Sequence, residues 1–276
     1  MNAFGLHALV LISDWDEAGA EKAIRSAAAI GYNVIETPIF DPESIDLKRT
    51  RDLLRQNSLT PSVSLGLRPE NDISSAERAI SAAGVDRLHK VVDATAFIGG
   101  NVVAGVIASA WQKYLVPSTD AGYRNAVSGI REVAKEARGK GVTIAVEVVN
   151  RFESNLLNTA AQAIRFVDAV GEDNVGIHLD TFHMHIEEAD AAAAIHACGS
   201  RLRYFHVNEN HRGYLDAGSI DFAPVFRACH GAIRWDYCIR GLFVIDLQPD
   251  CRRQSGDLAQ RVRGRRRRGA PRPGLP

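Results

Sequence analysis

The chain has few cysteines and no long apolar segment, and both shortages narrow the class of protein. Its four cysteines (Cys198, Cys229, Cys238 and Cys251) lack the paired spacing of a zinc clip or a disulfide framework, so we expect reduced thiols in a cytoplasmic protein. No uninterrupted apolar run approaches the roughly 18 residues of a membrane span. The N-terminus has neither a basic leader nor a cleavage signature, so we expect no secretory signal and no membrane partner.

Glycine-rich phosphate turns are also missing. The sequence contains no GxGxxG and no GxxxxGK followed by Ser or Thr. Those turns hold dinucleotides and nucleoside triphosphates at the start of a helix. Their absence argues against a nucleotide-binding, doubly wound sheet.

Short apolar runs do alternate with amphipathic stretches along the chain. Apolar residues at helical spacing predict helices, the clearest over 16–30, 47–56, 121–138 and 159–170. Uniformly apolar runs between them predict seven buried strands, at 3–11, 32–37, 62–67, 101–105, 143–149, 175–179 and 202–207. A repeated β-then-α order predicts an α/β protein with a parallel sheet, and at this length a (β/α)8 barrel fits best. We also expect the helical stretch 74–98 to break near Gly84.

The composition changes near residue 229. The last 26 residues carry nine arginines and one aspartate, so this tail has a charge of +8 while residues 1–250 carry about −8. We therefore expect a barrel domain over 1–228 and an aberrant, Arg-rich and poorly ordered segment over 229–276. The eighth strand and the C-terminal helix of the barrel are expected to be altered or missing.

Three consecutive predicted strands end in polar residues. Glu147, Asp180 and His206 follow one another at intervals of 33 and 26 residues, each about one βα unit. In a barrel the carboxyl ends of the strands form one rim, where active sites lie. Carboxylate and imidazole groups together suit Mn²⁺, Mg²⁺ or Co²⁺. The alternative is that each is a separate polar group held by backbone amides, but three in register favour a shared cation.

The segments around these residues resemble a known family. EVVNRFE (147–153), LDTFHMHIEE (179–188) and FHVNENHR (205–212) are similar to motifs of the D-tagatose 3-epimerase and D-psicose (allulose) 3-epimerase family of xylose isomerase-like TIM barrels. The resemblance covers roughly residues 3–228. It implies that Glu147, Asp180 and His206 bind a divalent metal, Mn²⁺ before Co²⁺ or Mg²⁺. It also implies that Glu153, His183 and Arg212 hold the O1–O3 end of a small ketose, in a homo-dimer or homo-tetramer.

The implied reaction is epimerisation of a ketohexose at C3. The C3 proton is weakly acidic through the neighbouring carbonyl, and a cation on O2 and O3 stabilises the resulting enediolate. Inversion needs one acid/base group on each face of C3. In the family both are metal-bound glutamates, and Glu147 corresponds to one of them. The other ends strand eight, and in this chain that position falls at Arg240–Gly241, where there is no carboxylate.

A shift of reading frame accounts for the missing acid. The codons of Asp236–Gly241, read one base later, can spell Thr-Ile-Ala-Phe-Glu, which resembles the family's strand-eight pattern. Out-of-frame GC-rich coding sequence also tends to give an Arg-, Gly- and Pro-rich tail. We therefore hypothesise a frameshift from about residue 229. The competing hypothesis is a genuine basic tail that binds polyanions, although its few aromatics make specific nucleic-acid recognition an unexpected role.

Two other functions remain open from the sequence. One is a related isomerase, such as a hydroxypyruvate or aldose–ketose isomerase, which uses a similar metal rim. The other is an inactive barrel with a polyanion-binding tail. Among nearby residues, His178 is expected to be an interior histidine and not a ligand. Glu36, at the end of the second strand, is expected to contact either the sugar's distal hydroxyls or a backbone amide.

Overall fold

The structure is a computed structural model, and it describes residues 4–232 and 242–245. Strands and helices alternate in the described chain. The strands are β1 Phe4–His7, β2 Val34–Pro38, β3 Thr60–Leu67, β4 Val102–Ala110, β5 Thr143–Glu147, β6 Val175–Asp180, β7 Leu202–Val207 and β8 Leu242–Ile245. The helices are α1 Glu17–Ile30, α2 Leu47–Gln56, α3 Arg78–Ile98, α4 Asp120–Gly139, α5 Ala160–Val170, α6 Thr181–Glu187, α7 Ala191–Cys198 and α8 Phe222–Ala232.

The strands form a closed parallel barrel in chain order. Each strand pairs with its neighbours in sequence, and β8 pairs with both β7 and β1. Parallel neighbours need a crossover, and the helices supply it while covering the outside of the sheet. The predicted (β/α)8 barrel is therefore confirmed.

The eighth strand is present but short. Its four residues, Leu242–Ile245, lie just after Arg240–Gly241, the position at which the sequence comparison places the end of strand eight. Of the two expected alternatives, an altered or a missing eighth strand, the structure shows an altered one. Residues 233–241 and 246–276 lie outside the described part, as does any helix after β8. Helix α8 crosses the proposed boundary at residue 228, and the division into two segments stays a prediction.

Capping residues set the helix ends. The side chain of Asp16 accepts a hydrogen bond from the Gly19 backbone N–H at 2.7 Å, and Gly31 ends α1 in the left-handed conformation. Thr159 and Gln162 form a capping box at the start of α5. These interactions satisfy backbone groups that a helix leaves unpaired at its ends. They explain why the helices predicted at 16–30 and 159–170 form where they do.

Alternation along the strands divides the barrel interior into two layers. Val34, Val102, Ala104, Ala145 and Tyr204 form a small apolar cluster inside the barrel. Two residues further along their strands come Glu36, Glu147 and His206. Because side chains alternate between the two faces of a strand, these polar groups also point into the barrel, one layer nearer the carboxyl rim. The large remaining core lies between the sheet and the helices.

Helix α3 differs from the sequence expectation. It is continuous over Arg78–Ile98, so the break expected near Gly84 is wrong. Gly84 is buried within the helix, and a Cβ there would lie 2.3 Å from the carbonyl oxygen of Asn71 and 2.5 Å from Cγ2 of Ile73. The glycine therefore serves close packing against the segment before α3, not a turn.

The first prediction concerns this glycine. Gly84→Ala is expected to lower the free energy of unfolding by about 1–3 kcal/mol, because the new methyl group overlaps backbone atoms that cannot move freely. Alanine in an open helix position does the opposite, by up to about 1 kcal/mol. Gly139→Ala at the end of α4 is the matched control, since no heavy atom lies within 4 Å of its Cβ position. Urea unfolding of both variants measures the difference; equal stability of the two would contradict the packing argument.

Four smaller observations concern the rest of the fold. Strand β1 is shorter than predicted, because a 3-10 turn at Ala8–Val10 follows it. Helix α6 was not predicted, since it begins directly after β6 with no intervening turn residue. None of the helices in the described residues has the length and apolar character needed to cross a lipid bilayer. Cys198 and Cys229, the two described cysteines, are free and buried.

Candidate active site

The carboxyl ends of three adjacent strands bring the predicted metal ligands together. Glu147 is the last residue of β5, Asp180 the last of β6, and His206 lies next to the end of β7. In the parallel ladders Asp180 is paired with His206, and Glu147 with His178. The Nδ1 atom of His206 lies 3.8 Å from Oδ2 of Asp180. The structure therefore gathers the three residues at one rim, while their role as ligands stays a prediction.

Two overlapping sets of side chains have ligand atoms within 4.8 Å of one another. One set is Glu147, Asp180 and His183, and the other is Glu147, His178 and His206. The predicted trio is thus divided between them, with Glu147 shared. Carboxylate oxygens and imidazole nitrogens are ligands that Mn²⁺, Co²⁺ and Mg²⁺ accept in proteins. The donor set fits a divalent cation.

His178, which the sequence did not mark as a ligand, also supports a divalent cation at this site. It is wholly buried, as expected of an interior histidine, but among the described residues neither of its ring nitrogens has a hydrogen-bond partner. Its Nδ1 atom lies 3.7 Å from Oε2 of Glu147. Burial lowers the pKa of His178 well below its usual value, so the ring is neutral and has a lone pair available. A buried nitrogen of this kind needs a partner, and a nearby cation or water provides one.

Glu147 is a nearly buried carboxylate with few partners. Its side chain is 11% exposed, and its nearest polar neighbours are the rings of His178 and His183 at 3.7 and 3.9 Å. These distances exceed those of a hydrogen bond. Burial raises the pKa of Glu147 to about 8, against the opposing influence of His206. The group can therefore carry a proton near neutral pH, as an acid/base catalyst must.

Next to Glu147, the barrel rim carries side chains of alternating charge. Burial opposes ionisation of Asp180, yet the neighbouring His206, His183 and Arg212 hold its pKa well below the usual range. Burial also disfavours the imidazolium of His206, but Glu36 and Asp180 raise its pKa well above the usual value. In the metal-free protein His206 is thus a cation between two carboxylates. Such pairing offsets the energy of burying all three charges.

Hydrogen bonds fix the orientation of Asp180. Its Oδ1 atom accepts from the Phe182 backbone N–H at 2.7 Å and so caps α6, while Oδ2 accepts from the Asn208 side chain at 2.8 Å. Both oxygens of the Asp180 carboxylate therefore accept a hydrogen bond from an N–H group. The residue is therefore presented to the rim in one orientation.

The predicted sugar ligands Glu153 and His183 are linked by Asn150. The backbone N–H of Asn150 donates to Nδ1 of His183 at 3.1 Å, and its side-chain amide donates to Oε1 of Glu153 at 2.8 Å. Because Nδ1 accepts, the proton of the neutral His183 ring is on Nε2. The indole N–H of Trp111 donates to Oε2 of Glu153 at 2.7 Å. The two predicted ligands are thus held in one network.

Arg212 completes the group from the loop after β7. Its guanidinium stacks on the ring of Phe182, 4.2 Å from the ring centroid, with NH2 3.3 Å from Nε2 of His183. The same nitrogen lies 3.9 Å from Oδ2 of Asp180. Its backbone is in the left-handed region, with φ of 52°, which turns the side chain back over the site at some conformational cost. Pairwise contacts therefore link all six predicted site residues, with Asn150 between His183 and Glu153.

Several contributors to the site were missed or misjudged from the sequence. Among the described residues the Glu36 carboxylate accepts from side chains and not from a backbone amide: from Tyr204 at 2.5 Å and from His206 at 2.8 Å. Its contact with a sugar stays a prediction. The rule that found Glu147, an acid at the end of a strand, also marks Glu36. Asn150 and Trp111 follow strand ends as well, but a hydrogen bond between loops leaves no spacing signal. The position Arg240–Gly241 lies outside the described residues.

A family comparison and searches of known proteins agree with this geometry. The family model for the xylose isomerase-like TIM barrel matches residues 24–236. An L-ribulose 3-epimerase of Methylomonas sp. (strain DH-1) is 44% identical over 82% of this chain and 79% of its own length. A ketose 3-epimerase of Arthrobacter globiformis is 40% identical over 84% of this chain and 80% of its own.

A solved structure shows the same architecture. The crystal structure of D-allulose 3-epimerase from Methylomonas sp. in complex with D-allulose superposes with a TM-score of 0.88 at 37% sequence identity. The match covers 96% of this chain and 97% of that one. The likeness therefore extends over the whole barrel.

Proposed function

Because the chain belongs to the xylose isomerase-like TIM barrel family and, within it, to the ketose 3-epimerases, we propose that it inverts C3 of free ketoses. The proposed substrates are ketohexoses, namely the D-tagatose/D-sorbose and D-fructose/D-psicose pairs, with the ketopentose L-ribulose suggested by a relative's name. One observation carries the proposal. At the carboxyl rim, ligand atoms of Glu147 lie within 4.8 Å of those of Asp180 in one set and of His206 in another, and Asp180 Oδ2 lies 3.8 Å from His206 Nδ1.

A divalent cation, Mn²⁺ before Co²⁺ or Mg²⁺, would be held by Glu147, Asp180 and His206. When bound, it would supply positive charge that stabilises the negative charge developing on the sugar as the C3 proton leaves. The fit rests on the donor types and on the unpartnered nitrogens of His178. Metal dependence and the identity of the ion are part of the proposal.

Glu147 would exchange the proton at C3. Burial raises the pKa of Glu147 to about 8 in the metal-free protein. The bound cation would lower this pKa, so that the carboxylate would be ionised and able to accept the C3 proton. Its carboxylate is not tied by hydrogen bonds to described side chains, so it can turn toward the sugar. The same group can return a proton only to the face from which it removed one.

His183, Arg212 and Glu153 would position the sugar. The Nε2–H of His183 and the guanidinium of Arg212 are donors to hydroxyl and carbonyl oxygens at the reacting end. Glu153 keeps lone pairs to accept from sugar hydroxyls while Asn150 and Trp111 fix its orientation. Rigidly held groups of this kind lower the entropic barrier to reaction. This set favours a 3-epimerase over an aldose–ketose isomerase.

We also propose that the protein forms homo-oligomers. An apolar surface lies on the loops after β4 and β5, where Leu115 is 91%, Val116 66% and Phe152 57% exposed. The two loops are joined by a hydrogen bond from Asn155 to the carbonyl oxygen of Val116. Contiguous exposed apolar groups favour burial against another protein surface. A second copy of the chain in a dimer or tetramer would provide it.

Solvent exchange at C3 tests the reaction directly. In D₂O with Mn²⁺, Co²⁺ or Mg²⁺, the chain is expected to exchange the C3 proton of at least one of D-tagatose, D-sorbose, D-fructose, D-psicose and L-ribulose, because Glu147 can remove and return a proton on one face. Proton NMR measures this exchange and separates it from exchange at C1, the signature of an aldose–ketose isomerase.

A pair of histidines on one helix provides the control. His183→Ala is expected to lower C3 exchange by at least about 10-fold, because a positioning donor is lost. His185→Ala, two residues further along α6 and exposed, is expected to leave exchange unchanged. Absence of C3 exchange with every ketose and every ion would refute the proposed function.

A further inference from the structure

We propose that Glu36 is a positioning residue that fixes His206 with its Nδ1 atom, and not Nε2, turned to the cation site. The inference rests on the proposed metal-dependent function and deepens it. Glu36 is the middle residue of β2, on the far side of the barrel from β6 and β7. Neither its spacing nor its motif associates it with the predicted ligands.

Glu36 reaches its partners through the barrel interior. Its side chain is wholly buried, and its Oε2 atom lies 2.5 Å from the Tyr204 hydroxyl and 2.8 Å from Nε2 of His206. Its Oε1 atom lies 3.5 Å from Nε2 of His7, too far for a hydrogen bond. The strong contacts of Glu36 in the described structure are therefore concentrated on Tyr204 and His206, both on β7.

The direction of each hydrogen bond follows from the donor inventory. A carboxylate only accepts, so Tyr204 donates its hydroxyl proton to Glu36 and His206 donates from Nε2. The Ser62 hydroxyl lies 2.8 Å from the Tyr204 oxygen and, because the Tyr204 proton is already used, must be the donor there. The chain of bonds thus runs from Ser62 through Tyr204 to Glu36, and separately from His206 to Glu36.

This pattern decides which nitrogen of His206 can hold a cation. With its proton on Nε2 directed at Glu36, the ring has its lone pair on Nδ1 when a metal is bound. Nδ1 lies 3.8 Å from Oδ2 of Asp180, longer than a hydrogen bond but less than twice the roughly 2.1 Å typical of a metal–ligand bond. A cation between Nδ1 and Asp180 is therefore sterically consistent, and Glu36 holds the ring from behind. A carboxylate behind a ligating histidine sets ring orientation and ligand basicity.

A purely structural role for Glu36 makes a different prediction. If it only filled the barrel interior, replacing it with the isosteric glutamine would change stability but not cation affinity. A positioning role predicts that affinity falls because the amide NH₂ of glutamine can face the His206 N–H and turn the ring. Tyr204→Phe removes the second donor to Glu36 but keeps the His206 bond, so its effect should be smaller.

Calorimetric titration of the full 276-residue chain with Mn²⁺ alone tests the affinity. Glu36→Gln is expected to raise the dissociation constant for Mn²⁺ by about 10- to 100-fold. Tyr204→Phe is expected to raise it by a smaller factor. Glu172→Gln is the matched control, because Glu172 is a partly buried carboxylate paired with Arg138 on the opposite end of the barrel. That variant should bind Mn²⁺ as the parent does.

A second measurement does not depend on any variant. In ¹⁵N-histidine-labelled parent protein, titration with diamagnetic Mg²⁺ or Zn²⁺ should shift the Nδ1 resonance of His206 while Nε2 keeps its proton. A shift at Nε2 instead overturns the proposal, even if Glu36→Gln fails to fold. A folded Glu36→Gln protein that binds Mn²⁺ within twofold of the parent also overturns it. Failure of the parent itself to bind any of these ions refutes both this inference and the proposed metal dependence.

Discussion

Restoring the reading frame after about codon 229 is expected to raise ketose 3-epimerase turnover by at least about 100-fold over the chain as it stands. A positioned acid/base group contributes about 10²–10⁴ to such a reaction. The resemblance places the second glutamate at Arg240–Gly241, where the sequence has no carboxylate. The family model also stops matching at residue 236. On the proposed mechanism, the present chain would therefore supply an acid/base group, Glu147, for one face of C3 and not for the other.

The two faces of C3 make this prediction sharper. With Glu147 alone, the present chain should exchange the C3 proton of one epimer with solvent while inverting it slowly. The frame-restored protein should exchange and invert at comparable rates. Deuterium incorporation by NMR and product formation by chromatography separate the two processes on the same sample.

The controls for this experiment address sequence and folding. Mass spectrometry of the intact chain verifies its C-terminus, and DNA sequencing across codons 225–245 shows whether the frame differs at the source. Thermal melts of both proteins establish that each is folded. If the verified 276-residue chain inverts a ketose as fast as the frame-restored protein, the missing-acid hypothesis is wrong.

Glu147→Gln in the frame-restored protein is expected to lower kcat/KM for the ketose by at least about 10³-fold. Two losses combine, because the substitution removes the proton carrier of one face and a proposed charged ligand of the cation. Glutamine has the same shape but neither accepts a C3 proton nor offers a negative charge. Steady-state kinetics with saturating Mn²⁺ measures the loss.

The thermal stability of the metal-free Glu147→Gln protein, unlike its activity, is not expected to fall. The Glu147 carboxylate is 11% exposed and has no hydrogen bond shorter than 3.5 Å to a described side chain, so ionising it in the metal-free protein is unfavourable. Glutamine carries no charge, and the metal-free variant should melt at the same temperature as the parent or higher. Glu172→Gln should leave kcat/KM unchanged. A Glu147→Gln protein that keeps a tenth of parental kcat/KM would exclude Glu147 as the acid/base group.

Local pattern was sufficient to predict much of the fold. Helix α2 and strand β7 have the predicted bounds, because apolar spacing and flanking turn residues mark them clearly. Helix α6 was missed because it follows Asp180 without a break, and its first residues read as the end of a strand. Gly84 was taken for a helix break because glycine usually disfavours helices, whereas here tertiary packing decides.

In the candidate site, too, residues with a local sequence signal could be predicted, and contacts between distant residues could not. Glu147, Asp180 and His206 could be predicted from the sequence, because each lies at a strand end within a local motif that resembles the family. The bonds from Tyr204 and His206 to Glu36 join residues 168 and 170 positions apart. Such contacts arise only when the sheet closes, since closure brings β2 opposite β7. No local rule could have predicted them.

The closure of the sheet by Leu242–Ile245 shows that barrel pairing and catalysis differ in how much sequence change they tolerate. This strand pairs with β1 and β7 through parallel ladders, which use only the backbone N–H and C=O groups that almost every residue has. A segment of foreign sequence can therefore complete the scaffold. Proton transfer does depend on the side chain, because it needs one particular functional group at one position. On the frameshift hypothesis, the chain would thus keep the architecture of the barrel while lacking one of the two acid/base groups that inversion at C3 needs.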